Sequence, residues 1–347
     1  MSNKNPFDIT FGKEPYTIIS RKNDLSKVYR SFSDESPNSQ VYILSGIRGC
    51  GKTVAMTTIA DDYRKNGGWI VVELNPEGDM LEQLASKLID EGHLKKLFLK
   101  GEFSFSFQGL SFSLKGHEVI NNVSSLLKKE FEYLKKKNIR VLVSVDEAIS
   151  TPNMRYFVQE FQILLRNDFP VFLLMTGLFQ NIASLIKNKG NTFLLRAPKV
   201  YLSPLNLLSV QASYSKIFGL SLEQASSLAK FTKGYAFAYQ LLGNILFEKR
   251  KTNLDDDVLE EFDEIIYERA YSLIYLDLSD TERKAVNEAC VNASNEHIAS
   301  SLGISASQLS NIKKSLILKG VAEQVRGELV FALPRFKEVT KRLLTLM

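Results

Sequence analysis

The sequence predicts an α/β domain with a five-stranded parallel sheet, followed by a helical segment and then by a small unit of helices and a β-hairpin. Over residues 1–205, short runs of bulky apolar residues alternate with longer segments whose apolar residues recur at helical spacing. Over residues 206–277 the helical spacing continues, and a helix-and-hairpin pattern fills residues 278–347. Strands that alternate with helices form parallel sheets, because each parallel connection needs a long crossover.

The five predicted strands carry an apolar residue at almost every position, which is typical of strands buried on both faces of a sheet. They cover residues 41–45, 69–74, 141–145, 170–177 and 199–202. A helix capped by Ser20 is predicted before the first strand. The helices predicted after it cover residues 54–63, 80–89, 118–137 and 155–167.

Residues 102–114 change to a period of two, in which Phe and Leu alternate with Ser on either side of Gly109. This pattern predicts a β-hairpin with one apolar face, inserted in the α/β domain. Two interpretations of the hairpin remain open. It is either a flap that covers the main sheet or a contact surface for another subunit or for nucleic acid.

The bulk composition excludes several classes of protein. With 347 residues, 44% hydrophobic and 24% charged, the chain is expected to form two or three globular domains. The net charge of +5 permits an acidic partner without requiring one. Two cysteines, Cys50 and Cys290, provide no disulfide framework, and three widely separated histidines make a zinc site unlikely on spacing alone. The sequence contains neither a signal-peptide core nor a membrane-length apolar run, so we expect a cytoplasmic protein with no membrane partner.

Residues 46–53 match G-x-x-x-x-G-K-[ST], the phosphate-binding loop (P-loop) of nucleoside triphosphatases. The motif lies between a predicted strand and a predicted helix, as it requires. Glycines permit backbone conformations that turn several N–H groups toward one anion, and a helix N-terminus adds partial positive charge. Lys52 is expected to reach the β- and γ-phosphates, and the Thr53 hydroxyl is expected to ligate Mg²⁺. The residues predicted to bind nucleotide here are Gly46, Ile47, Arg48, Gly49, Cys50, Gly51, Lys52, Thr53 and Val54.

An acidic pair, Asp146 and Glu147, follows the predicted strand 141–145 directly. Open α/β sheets place ligands at the carboxyl ends of their strands, so both carboxylates are expected at the nucleotide. Asp146 is predicted to hold Mg²⁺, and Glu147 is predicted to orient and deprotonate the attacking water.

The chain also contains Ser20-Arg21-Lys22-Asn23-Asp24-Leu25 before its first strand. Together with the P-loop and the acidic pair, this segment resembles the AAA+ and STAND ATPases, in which a Gly-Arg-x-x-Glu-Leu box lies beside the nucleotide. The resemblance implies an AAA+-like P-loop NTPase domain over residues 1–205, a helical lid over 206–277 and a winged helix-turn-helix over 278–347. It also implies ATP and Mg²⁺ as cofactors, with Arg21 beside the nucleotide. Two interpretations of the N-terminal aromatic segment remain open: Phe7, Phe11 and Tyr16 pack on the core, or residues Pro15 to Ile19 line the adenine pocket.

Three further site residues follow from the same resemblance. Thr176 falls where AAA+ proteins carry a polar sensor, although a Thr at the end of a strand also serves as an ordinary helix cap. Arg196 falls where an AAA+ protomer presents an arginine finger to its neighbour, and a purely structural arginine is the alternative. Tyr235 belongs to a lid segment that faces the nucleotide in these families.

The last seventy or so residues show the order helix, short helix, Gly turn, helix and hairpin, which is typical of a winged helix-turn-helix. The side chains predicted to contact DNA are Gln308, Asn311, Lys313, Lys314 and Arg326. From residue 279 onward, ten Lys and Arg face seven Asp and Glu, an excess of only three. Since winged helices also bind proteins, both kinds of partner remain open.

The sequence therefore predicts an ATP-binding, ATP-hydrolysing switch or remodeller of the AAA+/STAND type that contacts DNA. The alternative is a nucleotide-gated protein-interaction adaptor with low turnover and no DNA binding. ATP and ADP are the expected ligands, and either a second copy of the chain or another protein is a possible partner.

Overall fold

The computed structural model describes residues 4–10, 15–91, 104–107, 110–112, 119–120 and 122–346. The chain forms two compact units. The sheet unit consists of Lys22–Ser45 and Lys52–Tyr201, and the helical unit consists of Met1–Arg21, Gly46–Gly51 and Leu202–Met347. Gly51 and Lys52 are consecutive, so the division falls inside the P-loop. The predicted domain boundaries near residues 205 and 277 stay predictions.

Among its described residues, the sheet unit contains eight strands. They are β1 (Val41–Ser45), β2 (Trp69–Leu74), β3 (Ser104–Phe107), β4 (Leu110–Phe112), β5 (Val119–Ile120), β6 (Arg140–Val145), β7 (Val171–Gly177) and β8 (Lys199–Tyr201). The helices of this unit are α1 (Lys22–Ser33), α2 (Lys52–Arg64), α3 (Met80–Asp90), α4 (Val123–Lys136), α5 (Pro152–Arg166) and α6 (Phe179–Lys187), with a 3-10 helix at Lys189–Leu195.

Five of the strands form one parallel sheet in the order β2-β6-β7-β1-β8. The predicted five-stranded parallel α/β domain is therefore confirmed. Strands β1 and β7 are buried at every position, which matches their continuous apolar sequences. Residues of the strands and the flanking helices share a hydrophobic core that includes Ile43, Val143, Leu173 and Phe157.

The predicted hairpin is present in the part of residues 102–114 that the structure describes. Strands β3 and β4 pair in antiparallel register, with Phe105 opposite Phe112, and β5 pairs with β3 in parallel. The predicted turn at residues 108–109 and the ends of the hairpin lie outside the described residues.

The helical unit contains nine α-helices among its described residues. They are α7 (Leu207–Phe218), α8 (Leu222–Phe231), α9 (Ala236–Lys249), α10 (Asp256–Ile266), α11 (Ser272–Leu276), α12 (Asp280–Val291), α13 (Asn295–Leu302), α14 (Ala306–Leu318) and α15 (Phe336–Leu346). A π-helix at Tyr267–Tyr271 joins α10 to α11. One hydrophobic core runs from Phe7 and Val210 through Phe262 to Phe336, so residues 206–347 pack as one body.

Side-chain caps explain where several of these helices begin. Asn206 accepts a hydrogen bond from the Ser209 amide at the start of α7. Ser279 and Ser305 each form a capping box with the residue three positions later, at the starts of α12 and α14. The polar residues before these three helices therefore satisfy amides that the first helical turn leaves unpaired.

The C-terminal segment (residues 278–347) contains a helix-turn-helix followed by short antiparallel pairing. Helices α13 and α14 are separated by a turn at Gly303, which has φ +63°. The hairpin predicted after α14 is reduced to an isolated bridge between Ala322 and Phe331, and a second bridge joins Ser294 to Glu328. Across the described residues, no helix is both long enough and apolar enough to cross a membrane.

Candidate functional site

Two glycines of the P-loop have backbone conformations that favour glycine. Gly49 and Gly51 have φ values of +75° and +92°. At Gly49 the space is also closed, because an added Cβ would lie 2.3 Å from the Tyr235 hydroxyl oxygen. Between them, the Cys50 amide donates to the Ile47 carbonyl at 3.2 Å and closes a turn. This loop conformation therefore requires glycine at positions 49 and 51.

Within the helical unit, three consecutive carbonyl groups of the P-loop accept hydrogen bonds. The Tyr235 hydroxyl donates to the Arg48 carbonyl at 2.8 Å, and the Phe237 amide donates to the Gly49 carbonyl at 3.0 Å. The Arg21 guanidinium donates to the Cys50 carbonyl at 2.7 Å. Predicted nucleotide residues Arg21 and Tyr235 thus contact the backbone of the loop.

Three predicted nucleotide residues of the helical unit have apolar or enclosed surroundings. Ile19 is buried in the hydrophobic core together with Leu205 and Val210. Cys50 is buried, and a Cβ added to Gly46 would lie 2.6 Å from its sulfur. The predicted adenine contact of Ile19 stays a prediction.

In the sheet unit, α2 begins at Lys52, so Thr53 and Val54 lie in its first turn. The Thr53 hydroxyl donates to Asp146 Oδ2 at 2.8 Å. Asp146 directly follows β6, whose last residue, Val145, pairs with Met175 of β7. The structure therefore brings together the two side chains predicted to hold Mg²⁺.

Thr176 connects both members of the acidic pair. Its hydroxyl donates to Asp146 Oδ1 and accepts the Glu147 amide hydrogen bond at 3.0 Å. The Glu147 amide also lies 3.1 Å from Asp146 Oδ1. Glu147 itself has φ +50°, a left-handed conformation that is uncommon for a residue with a side chain. The Glu147 carboxylate belongs to an exposed residue at this turn.

The predicted direct contact of Thr176 with water or the γ-phosphate stays a prediction. Thr176 is 0% exposed, and its hydroxyl is engaged by Asp146 and Glu147. The buried hydroxyl holds Asp146 through its carboxylate and Glu147 through its backbone amide. Thr176 does not cap the next helix, because the cap residue of α6 is Leu178.

The donor set fits Mg²⁺ as P-loop proteins bind it. Hydroxyl and carboxylate oxygens are hard ligands that suit Mg²⁺, which keeps most of its remaining ligands as water and phosphate oxygens. Thr53 and Asp146 offer one oxygen of each kind within 2.8 Å of each other. No group of three or more His, Cys, Asp or Glu residues suited to a metal ion occurs in the described part of the chain. The pair formed by Thr53 and Asp146 is compatible with a Mg²⁺ site that phosphate and water oxygens complete.

Arg196 lies at the end of the 3-10 helix Lys189–Leu195 and is exposed. Its neighbour Leu195 is 63% exposed, and Tyr201 of β8 is 52% exposed. An exposed arginine next to an exposed leucine suits both the arginine-finger interpretation and a surface role.

The C-terminal segment presents four of its five predicted DNA residues at the surface. Gln308, Asn311, Lys314 and Arg326 are exposed, and the Gln308 side chain also accepts the Ser305 amide hydrogen bond of the capping box at 2.8 Å.

The predicted DNA contact of Lys313 is wrong. Its ammonium donates to Asn295 Oδ1 at 3.0 Å and to the carbonyls of Val325 and Glu328 at 3.1 and 2.6 Å. These bonds fasten α14 to the start of α13 and to the segment that follows α14, and only 9% of the residue is exposed. Burial lowers the pKa of Lys313, and Glu328 partly opposes that effect. The sequence of α14 around Lys313 does not indicate that this side chain faces inward.

Two residues that lie against the P-loop, Phe237 and Gly320, and one contact of Lys233 were not predicted from the sequence. The Phe237 amide bonds to the Gly49 carbonyl, and a backbone donor leaves no mark in the sequence. Gly320, with φ +75°, lies against Ile47, since a Cβ added there would be 3.2 Å from Ile47 Cβ. Lys233, two residues before Tyr235, donates to the Phe331 carbonyl at 2.7 Å and connects the helical segment to the C-terminal segment.

No protein-family model matches the sequence, and no curated protein matches it. The structure is similar to a Walker-type ATPase of Pyrococcus abyssi, with a TM-score of 0.61, 14% identity, and coverage of 93% of this chain and 96% of that chain. It is also similar to the ORC2 protein of Aeropyrum pernix in its ADPNP–ADP complexes, with a TM-score of 0.56, 14% identity and 97% coverage of each chain. The chain therefore has the same overall fold as these two proteins, in which a parallel α/β domain with a P-loop is followed by helices.

Proposed function

We propose that this protein binds ATP with Mg²⁺ at the P-loop and hydrolyses ATP, acting as an AAA+-like switch or remodeller whose C-terminal segment contacts DNA. The observation that supports hydrolysis best is the set of hydrogen bonds that joins Thr53, Asp146, Thr176 and Glu147. The similar solved structures include a Walker-type ATPase and an ORC2 protein with ADPNP and ADP, which supports nucleotide binding.

Each side chain has a distinct part in the proposed reaction. Mg²⁺, when bound, supplies positive charge to the phosphate oxygens, and Thr53 and Asp146 would hold it. Lys52 would neutralise charge on the β- and γ-phosphates. Glu147 would accept a proton from the attacking water, and Thr176 would fix the backbone from which Glu147 projects.

The catalytic assignment is tested by phosphate release and by nucleotide affinity, measured separately. Lys52→Ala should lose both, because it removes the ammonium that grips the phosphates. Glu147→Gln should retain ATP affinity and lower turnover by about 10²- to 10⁴-fold, the usual contribution of a general base. Glu132→Gln, at an exposed glutamate of α4, is the matched control and should leave both unchanged. Turnover of Glu147→Gln at the wild-type rate would contradict the assignment.

We propose that Arg196 completes the site of a neighbouring protomer. Mixing two inactive variants tests this. Lys52→Ala keeps Arg196 but cannot grip nucleotide, and Arg196→Ala keeps the P-loop, so a mixture should regain turnover if the arginine acts in trans. Solution mass with and without ATP should show assembly under the same conditions. A purely monomeric protein with unaffected Arg196→Ala turnover would leave Arg196 a surface residue.

DNA contact rests on exposed side chains of the helix-turn-helix. Lys314 on α14 and Arg326 at the following turn are exposed and basic. Each variant, Lys314→Ala or Arg326→Ala, should weaken duplex binding and reduce the slope of log affinity against log salt by about one. Lys230→Ala, at an exposed lysine of α8, is the matched control.

The second candidate function, a nucleotide-gated protein adaptor, is favoured by one observation. Lys313, one of the ten basic residues from 279 onward, is buried, which reduces the positive charge available to phosphates. Undetectable duplex binding at low salt, combined with intact nucleotide binding, would select the adaptor.

A further inference from the structure

Three consecutive carbonyl groups of the P-loop each accept a hydrogen bond from another residue of the same helical unit. The donors are the Tyr235 hydroxyl to Arg48, the Phe237 amide to Gly49, and the Arg21 guanidinium to Cys50, at 2.8, 3.0 and 2.7 Å. A second bond from Arg21 to the Ser203 carbonyl at 2.5 Å fixes the guanidinium in place. We call these three bonds the carbonyl clamp.

Peptide geometry converts the clamp into control of the loop amides. In a planar trans peptide, the C=O of one residue and the N–H of the next point in opposite directions. Holding the carbonyls of Arg48 and Cys50 therefore directs the amides of Gly49 and Gly51 away from Tyr235 and Arg21. These amides belong to the segment that binds phosphate in P-loop proteins.

The fit between Tyr235 and the loop is close. Tyr235 is 5% exposed, and its hydroxyl occupies the space that a side chain at Gly49 would need. The tyrosine is also the residue just before α9, so its backbone position is set by the helix start. Burial of the ring and the fixed backbone position together hold the Tyr235 hydroxyl at this place.

We propose that Arg21 and Tyr235 are positioning residues, which set the direction of the P-loop amides before nucleotide binds and do not themselves contact nucleotide. This inference rests on the proposed nucleotide binding. A preorganised loop spares the ligand the cost of ordering it, so loss of a clamp bond should appear in affinity. Turnover at saturating ATP should be little affected, because bound phosphates then order the loop.

Tyr235→Phe tests the clamp, since it removes one oxygen and keeps the buried ring. ATP and ADP affinities, measured by calorimetry, should both fall by about threefold to tenfold, the equivalent of one net hydrogen bond. The factor should be equal for the two nucleotides, whereas direct contact with the γ-phosphate would weaken ATP more than ADP. Arg21→Ala should weaken the binding of both nucleotides. Arg21→Lys should restore only part of the lost affinity, because an ammonium does not bridge two carbonyls as a guanidinium does.

Tyr214→Phe is the matched control. The Tyr214 hydroxyl is also buried and donates to a backbone carbonyl, that of Tyr239, at 2.7 Å. A purely structural role predicts that both Phe variants lower the melting temperature alike and leave affinity unchanged, and this result would overturn the clamp. A larger loss of ATP than of ADP affinity in Tyr235→Phe would overturn it as well. Failure of the wild type to bind either nucleotide would instead refute the proposed function.

Discussion

Thr176 holds both acidic residues of the candidate site through one hydroxyl group. It donates to the Asp146 carboxylate and accepts from the Glu147 amide. The Glu147 backbone has a left-handed conformation, which for a side-chain-bearing residue requires support from its surroundings. The buried hydroxyl provides that support, so we expect Thr176 to act on hydrolysis through Glu147.

Thr176→Val should therefore impair turnover more than nucleotide binding. Valine keeps the shape of threonine and removes both hydrogen bonds, which frees the acidic pair to move. A displacement of about 1 Å at a catalytic group can lower turnover by about 100-fold, so we expect a loss of about 10- to 100-fold at saturating ATP. Steady-state phosphate release and ATP affinity measure the two effects.

Thr58→Val provides the control for this prediction. The Thr58 hydroxyl donates to the Val54 carbonyl at 2.8 Å, within α2 and away from the acidic pair. It should leave turnover at the wild-type level. If Thr176→Val also turns over at that level, the positioning role is refuted.

At the scale of single residues, local motifs were predictable and burial was not. The P-loop and the acidic pair were identified because their chemistry is written in consecutive residues. The inward direction of Lys313 depends on Asn295, Val325 and Glu328, which meet it only after folding. The role of Thr176 likewise depends on the pairing of β6 with β7.

At the scale of elements, the sheet was predicted within a residue or so because buried strands have continuous apolar sequences. The strand predicted at 141–145 is Arg140–Val145, and the one predicted at 199–202 is Lys199–Tyr201. The hairpin after α14 was less predictable. Its residues make only isolated bridges, because one of its segments also bonds to the residues before α13, as the Leu329 amide does to the Ala293 carbonyl.

Helix α12 contains a buried thiol that should make stability depend on alkaline pH. Cys290 is 0% exposed, and burial raises its pKa from 9.0 to about 11, with Lys337 and Lys341 partly opposing the shift. The neutral thiol is favoured in the folded state, so its contribution is fully present below pH 9. As pH rises above that value, the unfolded chain loses a proton that the folded chain retains, and the free energy of unfolding falls.

The change that isolates this effect is Cys290→Ala. Alanine should lower stability at pH 7 by leaving a small cavity, and the difference from the wild type should shrink between pH 9 and 10, by at most about 1.4 kcal/mol per pH unit. Denaturant unfolding at each pH measures the difference. A gap that stays constant over this interval would show that the Cys290 thiol does not titrate between the two states.

At the scale of the whole chain, the helical segment (residues 206–277) and the C-terminal segment are joined by buried polar contacts. Arg335 donates to both carboxylate oxygens of Asp263 at 2.5 and 2.6 Å, and the Tyr271 hydroxyl donates to the Pro334 carbonyl at 2.5 Å. Asp263 is only 2% exposed. The sequence could not predict this pair, because its members are 72 residues apart and neither belongs to a recognisable motif.

Arg335→Met should weaken the joint between these two segments. It leaves the buried Asp263 carboxylate without its bidentate partner, which should cost about 3 kcal/mol, the lower end for a buried pair, because Arg335 is partly exposed. Arg342, 3.6 Å from the same carboxylate, offers only partial replacement.

Asp263→Asn combined with Arg335→Met should be less destabilising than Arg335→Met alone, because the double variant removes the uncompensated charge. Arg64→Met, at an exposed i,i+3 ion pair with Asp61, should have no measurable effect. Calorimetry should show a separate, earlier transition for the C-terminal segment in Arg335→Met, and a single unshifted transition would mean that the hydrophobic core alone holds the segments together.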